Sequence, residues 1–82
     1  MTDNTYNGWE NYETWNVSLW IANDESLYRS AARYARGAVY PSYSEFIIQQ
    51  GLDNTATADG VSYTDDRLGL EELDEFIQEL IA

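Results

Sequence analysis

The sequence predicts an all-α domain, a compact bundle of three or four short helices. Apolar residues recur at the 3.6-residue helical period in three longer stretches. Residues suited to cap helices, Asn11, Asn23 or Asp24, and Ser42, stand at the start of helical runs. Gly37, Pro41 and Gly51 punctuate the chain between them. At 82 residues the chain is read as one domain, 1–82. A chain of this size buries only about 60–65% of its unfolded surface, so the three Trp, seven Tyr and two Phe are needed as packing material.

Taken in order, residues 1–8 are a polar lead-in. A first helix is expected over 12–22, with Asn11 as its cap and Glu13 in its first turn. On a wheel of about 100° per residue Tyr12, Trp15, Leu19 and Ala22 share one face, while Val17, Trp20 and Ile21 occupy much of the other. Such a helix is central and covered on both sides. Trp15 and Trp20 are accordingly read as core, Trp9 as exposed or as a staple on the helix, and Asn11, Asn16 and Asn23 as caps or buried hydrogen-bond partners.

A second helix runs from Asn23 or Asp24 to about Arg36, with Gly37 closing it. Its buried arc is Leu27, Tyr28, Ala31, Ala32, Tyr34 and Ala35, and Arg29, Arg33 and Arg36 form a stripe opposite. Ser42 and Glu45 read as a capping box opening a short helix through Ile48 to Gln50, which Gly51 ends. Residues 51–64 lack helical periodicity and form a long loop. Val61-Ser62-Tyr63 paired with Ala38-Val39-Tyr40 is the one β option, a minor two-stranded element. The last helix begins at Asp66 or Leu70 and reaches Leu80. Leu70, Leu73, Phe76, Ile77, Leu80 and Ile81 take one side, and Glu71, Glu72, Asp74, Glu75 and Glu79 the other.

Composition narrows the chemistry. The absence of cysteine removes disulfides and thiol catalysis, and the absence of histidine removes the commonest general base and metal ligand. The formal charge of −11, from fifteen acids against four Arg and no Lys, disfavours direct contact with nucleic acid or an anionic membrane. It suits a basic partner. The polar, acidic opening MTDNTYNGWE has neither a basic nor an apolar leader region, which points to a cytoplasmic protein.

Three constellations remain. From Asp53 to Ala82 there are nine acids and one Arg, so a net −8 of the −11 is concentrated there. Within the last helix five carboxylates fall along ~12 Å, about one per 2.4 Å, between the axial charge spacings of one DNA strand and of the duplex. The plain alternative is a solvated helix face. Around Gly60 an EF-hand register would put Thr55 and Thr57 at its first two ligand positions and Asp66 at its last; two ligands fail, and no metal site is assigned. Fifteen acids produce many chance pairs, so no catalytic dyad is nominated. Asn16-Val17-Ser18 fits a glycosylation pattern but lies inside a predicted helix.

The run NYETWNVSLWIANDESLY, residues 11–28, resembles the NYETWNVxLWxxN signature of a family of short uncharacterised proteins of bacteriophages, plasmids and some bacteria. In that family the run is followed by an acidic turn and an aromatic, as Asp24, Glu25 and Tyr28 are here. The ending LDEFIQELIA departs from the Trp-containing tails of the family. The resemblance implies a protein of phage or mobile-element type and carries no activity over to individual residues.

The expectation is therefore a non-enzymatic acidic protein without a cofactor, binding a basic surface of a partner protein through Asp65, Asp66, Glu71, Glu72, Asp74, Glu75 and Glu79. Its sharper form has the partner a nucleic-acid-binding host enzyme, inhibited by a DNA mimic. The rival expectation is self-association through exposed aromatics, Trp9 and the Tyr-bearing second helix.

Overall fold

The computed structural model describes residues 6–80. These residues fold into four helices, α1 (Tyr12–Asn23), α2 (Glu25–Gly37), α3 (Tyr43–Gln49) and α4 (Leu70–Glu79), packed as a small all-α bundle. α1 packs on α2 and α4, α4 also meets α2, and α3 lies against α4. Among the described residues there is no sheet, only two isolated bridges. No helix among them is long and apolar enough to cross a membrane. Residues 1–5 of the lead-in and Ile81 of the last apolar stripe lie outside the described residues.

α1, α2 and α3 start where side chains satisfy their free N–H groups, whereas α4 starts at Gly69 without a side-chain cap. Asn11 accepts from the Thr14 N–H at 2.9 Å and Asp24 from the Leu27 N–H at 3.0 Å. Asp24 thus separates α1 from α2 with one residue. α3 departs from the expected capping box. Ser42 Oγ accepts from the Glu45 N–H at 3.2 Å, but Glu45 does not return to the Ser42 backbone. Tyr34 of α2 stands between them, its hydroxyl accepting from the Ser42 N–H at 3.0 Å and donating to Glu45 Oε1 at 2.6 Å. The relay ties the α3 start to α2. Burial first, and the Glu45 carboxylate next, raise the Tyr34 pKa above the usual phenol value.

Helix ends also differ in chemistry. Gly51 has φ +72, its N–H donates to Ile48 O, and the Leu52 N–H donates to Ile47 O, the paired bonds of a Schellman motif. Gly37, expected as a closing residue outside α2, is instead its last helical residue, with the extended Ala38 as cap. The β option is overturned. Ser62 bridges Ala56 rather than the 38–40 segment, and Val39 and Tyr40 stand 85% and 87% exposed. A turn at Gly60 (φ +90) brings 61–63 back on 55–57, and closing so short a loop costs less chain entropy than reaching residue 39. Asn7 (φ 49) and Gly8 (φ 88) likewise make a tight turn between Tyr6 and Trp9.

The core contains Val17, Ile21, Ala31, Ala35, Tyr43, Phe46, Ile47, Leu73 and Ile77, closed by Val61, Tyr63 and Leu68 from the long loop. Each large side chain buried here contributes about 1.5–3 kcal/mol. The α1 reading needs correction. Its buried arc is Thr14, Val17, Ser18 and Ile21, with Asn16 also buried, whereas Trp15 and Trp20 are half-buried and Tyr12 and Ala22 exposed. Small hydroxyl residues satisfied by their own helix can be buried at little cost: Ser18 Oγ donates to Trp15 O at 2.7 Å and Thr14 Oγ1 to Asn11 at 2.6 Å. The rings move to the rim, where Tyr6, Tyr12 and Trp15 stack with centroids 4.9–5.7 Å apart. Tyr28 of the expected α2 arc is likewise exposed.

Candidate functional site

The polar residues of the 11–28 run are spent on the fold. Asn16, buried in α1, donates through Nδ2 to Asp59 Oδ2 at 2.7 Å and accepts from Thr57 Oγ1 at 2.6 Å. Trp20 Nε1 donates to the same Asp59 oxygen at 2.9 Å. Thr57 Oγ1 in turn accepts from the Val61 N–H, and the Thr57 N–H donates to Val61 O, so the turn carrying Asp59 is held at both ends. The bonds from Asn16 and then Trp20 hold the Asp59 carboxyl below its ordinary pKa. A second attachment lies one turn earlier. Asn11 Nδ2 donates to Arg67 O at 2.6 Å, and Thr14 Oγ1 accepts from the Gly69 N–H at 2.8 Å, at the start of α4. A Cβ at Gly69 would meet the Glu10 carboxylate at 2.6 Å, the end of an exposed side chain that has room to swing aside. Every buried side-chain polar atom among the described residues has a partner.

The seven carboxylates nominated from the sequence divide. Asp65 takes a two-pronged grip from Arg67, Nε at 2.9 Å and the terminal nitrogen at 2.8 Å, and also accepts from the Arg67 N–H. The side-chain bonds, then the backbone bond, hold its pKa down at about 2. Arg67 also reaches Glu13 at 3.1 Å, fastening the loop to α1. Asp74 accepts from the Tyr43 N–H at 2.7 Å and Glu72 from the Glu10 N–H at 2.6 Å. Those three carboxylates hold the protein's own chain. Asp66, Glu71, Glu75 and Glu79 are exposed and form no ion pair among the described residues.

α4 begins at Leu70 rather than Asp66, since the Asp65–Arg67 turn occupies the residues before it. The helix assigns one task to each side. Leu73 and Ile77 enter the core, Leu70 and Asp74 lie towards α3, and Glu72 and Phe76 face the N-terminal turn, where Trp9 meets Phe76 edge-on at 5.8 Å. Trp9 is half-buried, and the ring it meets is on α4 rather than on α1, where the staple reading placed it. At about 100° per residue, Glu71, Glu75 and Glu79 fall opposite the core side, about 6 Å apart along the axis. That spacing is coarser than the ~2.4 Å counted with all five acids and than the ~3.4 Å of one DNA strand.

Beside this strip the bundle has a groove of about 360 Å³ between α3 and residues 63–70. Tyr43, Ile47, Ile48, Tyr63, Leu68 and Leu70 line it, and Asp53, Asp65 and Asp66 stand on its edge. Ile48 is 65% and Leu70 49% exposed, a large apolar outlay on a chain this short of core. The Tyr43 hydroxyl is engaged, donating to Tyr63 O at 2.5 Å, and burial raises its pKa. The Asp59 and Asp65 carboxyls are both held below the ordinary value, opposite to what a general acid needs. No group of three or more metal-ligating side chains forms among the described residues. What these surfaces offer is acceptor charge and apolar area.

Sequence reasoning offered Asn16 as a cap or a buried hydrogen-bond partner, and the second holds, but it missed Asp59 and Thr57 as the groups Asn16 clamps, and it missed the groove. Thr14 and Ser18 sharing an arc with Val17 and Ile21 was the available signal for the first. Ile48 and Leu70, 22 positions apart, gave none for the second. The chain belongs to a family of unknown function (DUF7249), whose model matches residues 2–82. Membership therefore takes in the acidic half as well as residues 11–28. No curated protein and no solved structure matches the chain.

Proposed function

We propose that this member of the family is a non-enzymatic binding protein that docks the acidic outer face of α4 on a basic surface of a partner protein. One observation carries the reading: after Asp65, Glu72 and Asp74 are taken by the chain's own groups, Glu71, Glu75 and Glu79 remain as an outward strip with no cation paired to them among the described residues. The three remaining arginines, Arg29, Arg33 and Arg36, lie on α2, so charge is segregated and the acidic half presents an uncompensated field. Such a field speeds encounter with a basic partner and weakens with salt.

The finer form makes the partner a nucleic-acid enzyme of a host cell, occupied along its phosphate track, with the protein acting in the host cytoplasm as a phage or mobile-element product. It rests on the resemblance of residues 11–28 and on the acidic half. The coarse strip spacing favours a basic protein surface in general over close imitation of a duplex. Capture from a bacterial lysate tests both forms, with wild type beside a Glu71→Lys, Glu75→Lys, Glu79→Lys variant. Capture of one nucleic-acid enzyme by wild type alone, displaced by added DNA, is the expected result. Equal capture by both, or none, overturns the acidic-face reading.

A further inference from the structure

We infer that the groove between α3 and residues 63–70 is a second docking element, and that its occupant is a partner segment bearing apolar side chains flanked by Lys or Arg. The inference rests on the acidic-binder reading and names the partner's chemistry. Three features select that occupant. The floor is aliphatic and aromatic, with Ile48 and Leu70 left largely in water, so burial of apolar side chains there is favourable. The edge carries Asp53 and Asp66 without ion-pair partners among the described residues, while Asp65 is already matched by Arg67. No Arg lines the groove, and Arg67 beside its edge is already engaged by Asp65 and Glu13, so an acidic segment would meet no free cation and a neutral apolar one would leave the carboxylates unmatched.

The size agrees. About 360 Å³ is near the lower bound for a small-molecule site, and suits a few side chains projecting from one extended or helical segment. Groove and strip are also distinct surfaces. Leu70 lies on the α3 side of α4, whereas Glu71, Glu75 and Glu79 lie opposite the core. A basic protein could engage both at once, the strip guiding approach and the groove setting residence time.

The test is amide NMR on the full isotopically labelled chain with two probes, a Leu/Lys peptide and an oligolysine of equal charge. The Leu/Lys peptide should shift the amides of Ile47, Ile48, Asp66, Leu68 and Leu70, and oligolysine only those along Glu71–Glu79. Ile48→Ser with Leu70→Ser should weaken the first probe about tenfold or more and leave the second unchanged. Asp53→Asn with Asp66→Asn should weaken the first and flatten its salt dependence. Ile48 is largely and Leu70 half exposed, so the fold persists, which a thermal melt verifies. Equal binding of the two probes, absence of shifts in the groove, or the same shifts on concentrating the protein alone, which would make the occupant a second copy, overturns the groove assignment. Oligolysine shifts on α4 would then still stand for the acidic face, and their loss beside intact groove binding would overturn that reading instead.

Discussion

Two acidic regions of this molecule have opposite relations to the rest of the chain. Around α1 and the part of the 57–69 loop packed on it, three carboxylates are tied down: Asp59 by Asn16 and Trp20, Asp65 and Glu13 by Arg67. On the outer face of α4 and along the groove edge, Glu71, Glu75, Glu79, Asp53 and Asp66 lack ion-pair partners among the described residues. The contrast teaches where to look for function. A carboxylate bound to its own fold explains its presence by stability, whereas a row of like charges on one helix has no such explanation.

The largest effect that tests this division is at Asn16. Asn16→Leu keeps the branched outline with some added bulk, removes the acceptor of Thr57 Oγ1 and leaves Asp59 with Trp20 alone, and should cost about 2–3 kcal/mol in urea unfolding. Thr57→Val should cost about 1–2 kcal/mol, and the double variant should cost less than the sum, because the two groups share one bond. Additive losses would mean that the clamp does not act as a unit. An Asn16→Leu protein as stable as wild type would remove it as the anchor of the loop.

How legible this was in the sequence depends on how local the physics is. α1 and α2 were readable because period and caps are written within a few residues, as with Asn11 and Thr14 or Asp24 and Leu27, and the body of α4 was readable from its period alone. The end of α3 at Gly51 was readable for the same reason. The α1 core was misread because a hydropathy wheel counts Trp15 as apolar and Thr14 as polar. In the fold Thr14 is satisfied by Asn11 and sits inside, while the large rings take the rim. The clamp joins residues 43 positions apart and depends on where the Gly60 turn sets Asp59, which no local pattern encodes. The seven nominated acids could be listed but not sorted, because the groups that engage three of them, Arg67, the Tyr43 N–H and the Glu10 N–H, belong to other segments or to a tight turn.

A smaller effect separates the regions by pH. Asp59 and Asp65 both have folded pKa values below the unfolded carboxylate value, about 3.9. Their stabilisation is therefore complete above that value and lost as pH falls through the folded value, about 2 for Asp65. Asp65→Asn and Asp59→Asn should each be less stable than wild type at pH 6. The gap should close between about pH 4 and pH 2 as the wild-type carboxyls protonate. Urea titrations across that range measure it, and a gap that stays constant to pH 2 would refute the assignment of those bonds to the ionised forms.

The smallest effect has the opposite sign and sharpens the comparison most. Glu75 lies four residues from both Glu71 and Glu79 on an exposed face, so its charge is repelled from two sides. Glu75→Gln removes both repulsions at little change in shape and should stabilise the protein by a few tenths of a kcal/mol at low salt, fading as salt screens the strip. A loss of stability instead would reveal a bond that holds Glu75 to the fold and would move it into the same class as Asp65. A gain means that the chain carries this carboxylate against its own stability. The same substitution should then weaken attraction to a basic partner, which joins the sign of a stability change to the location of the binding face.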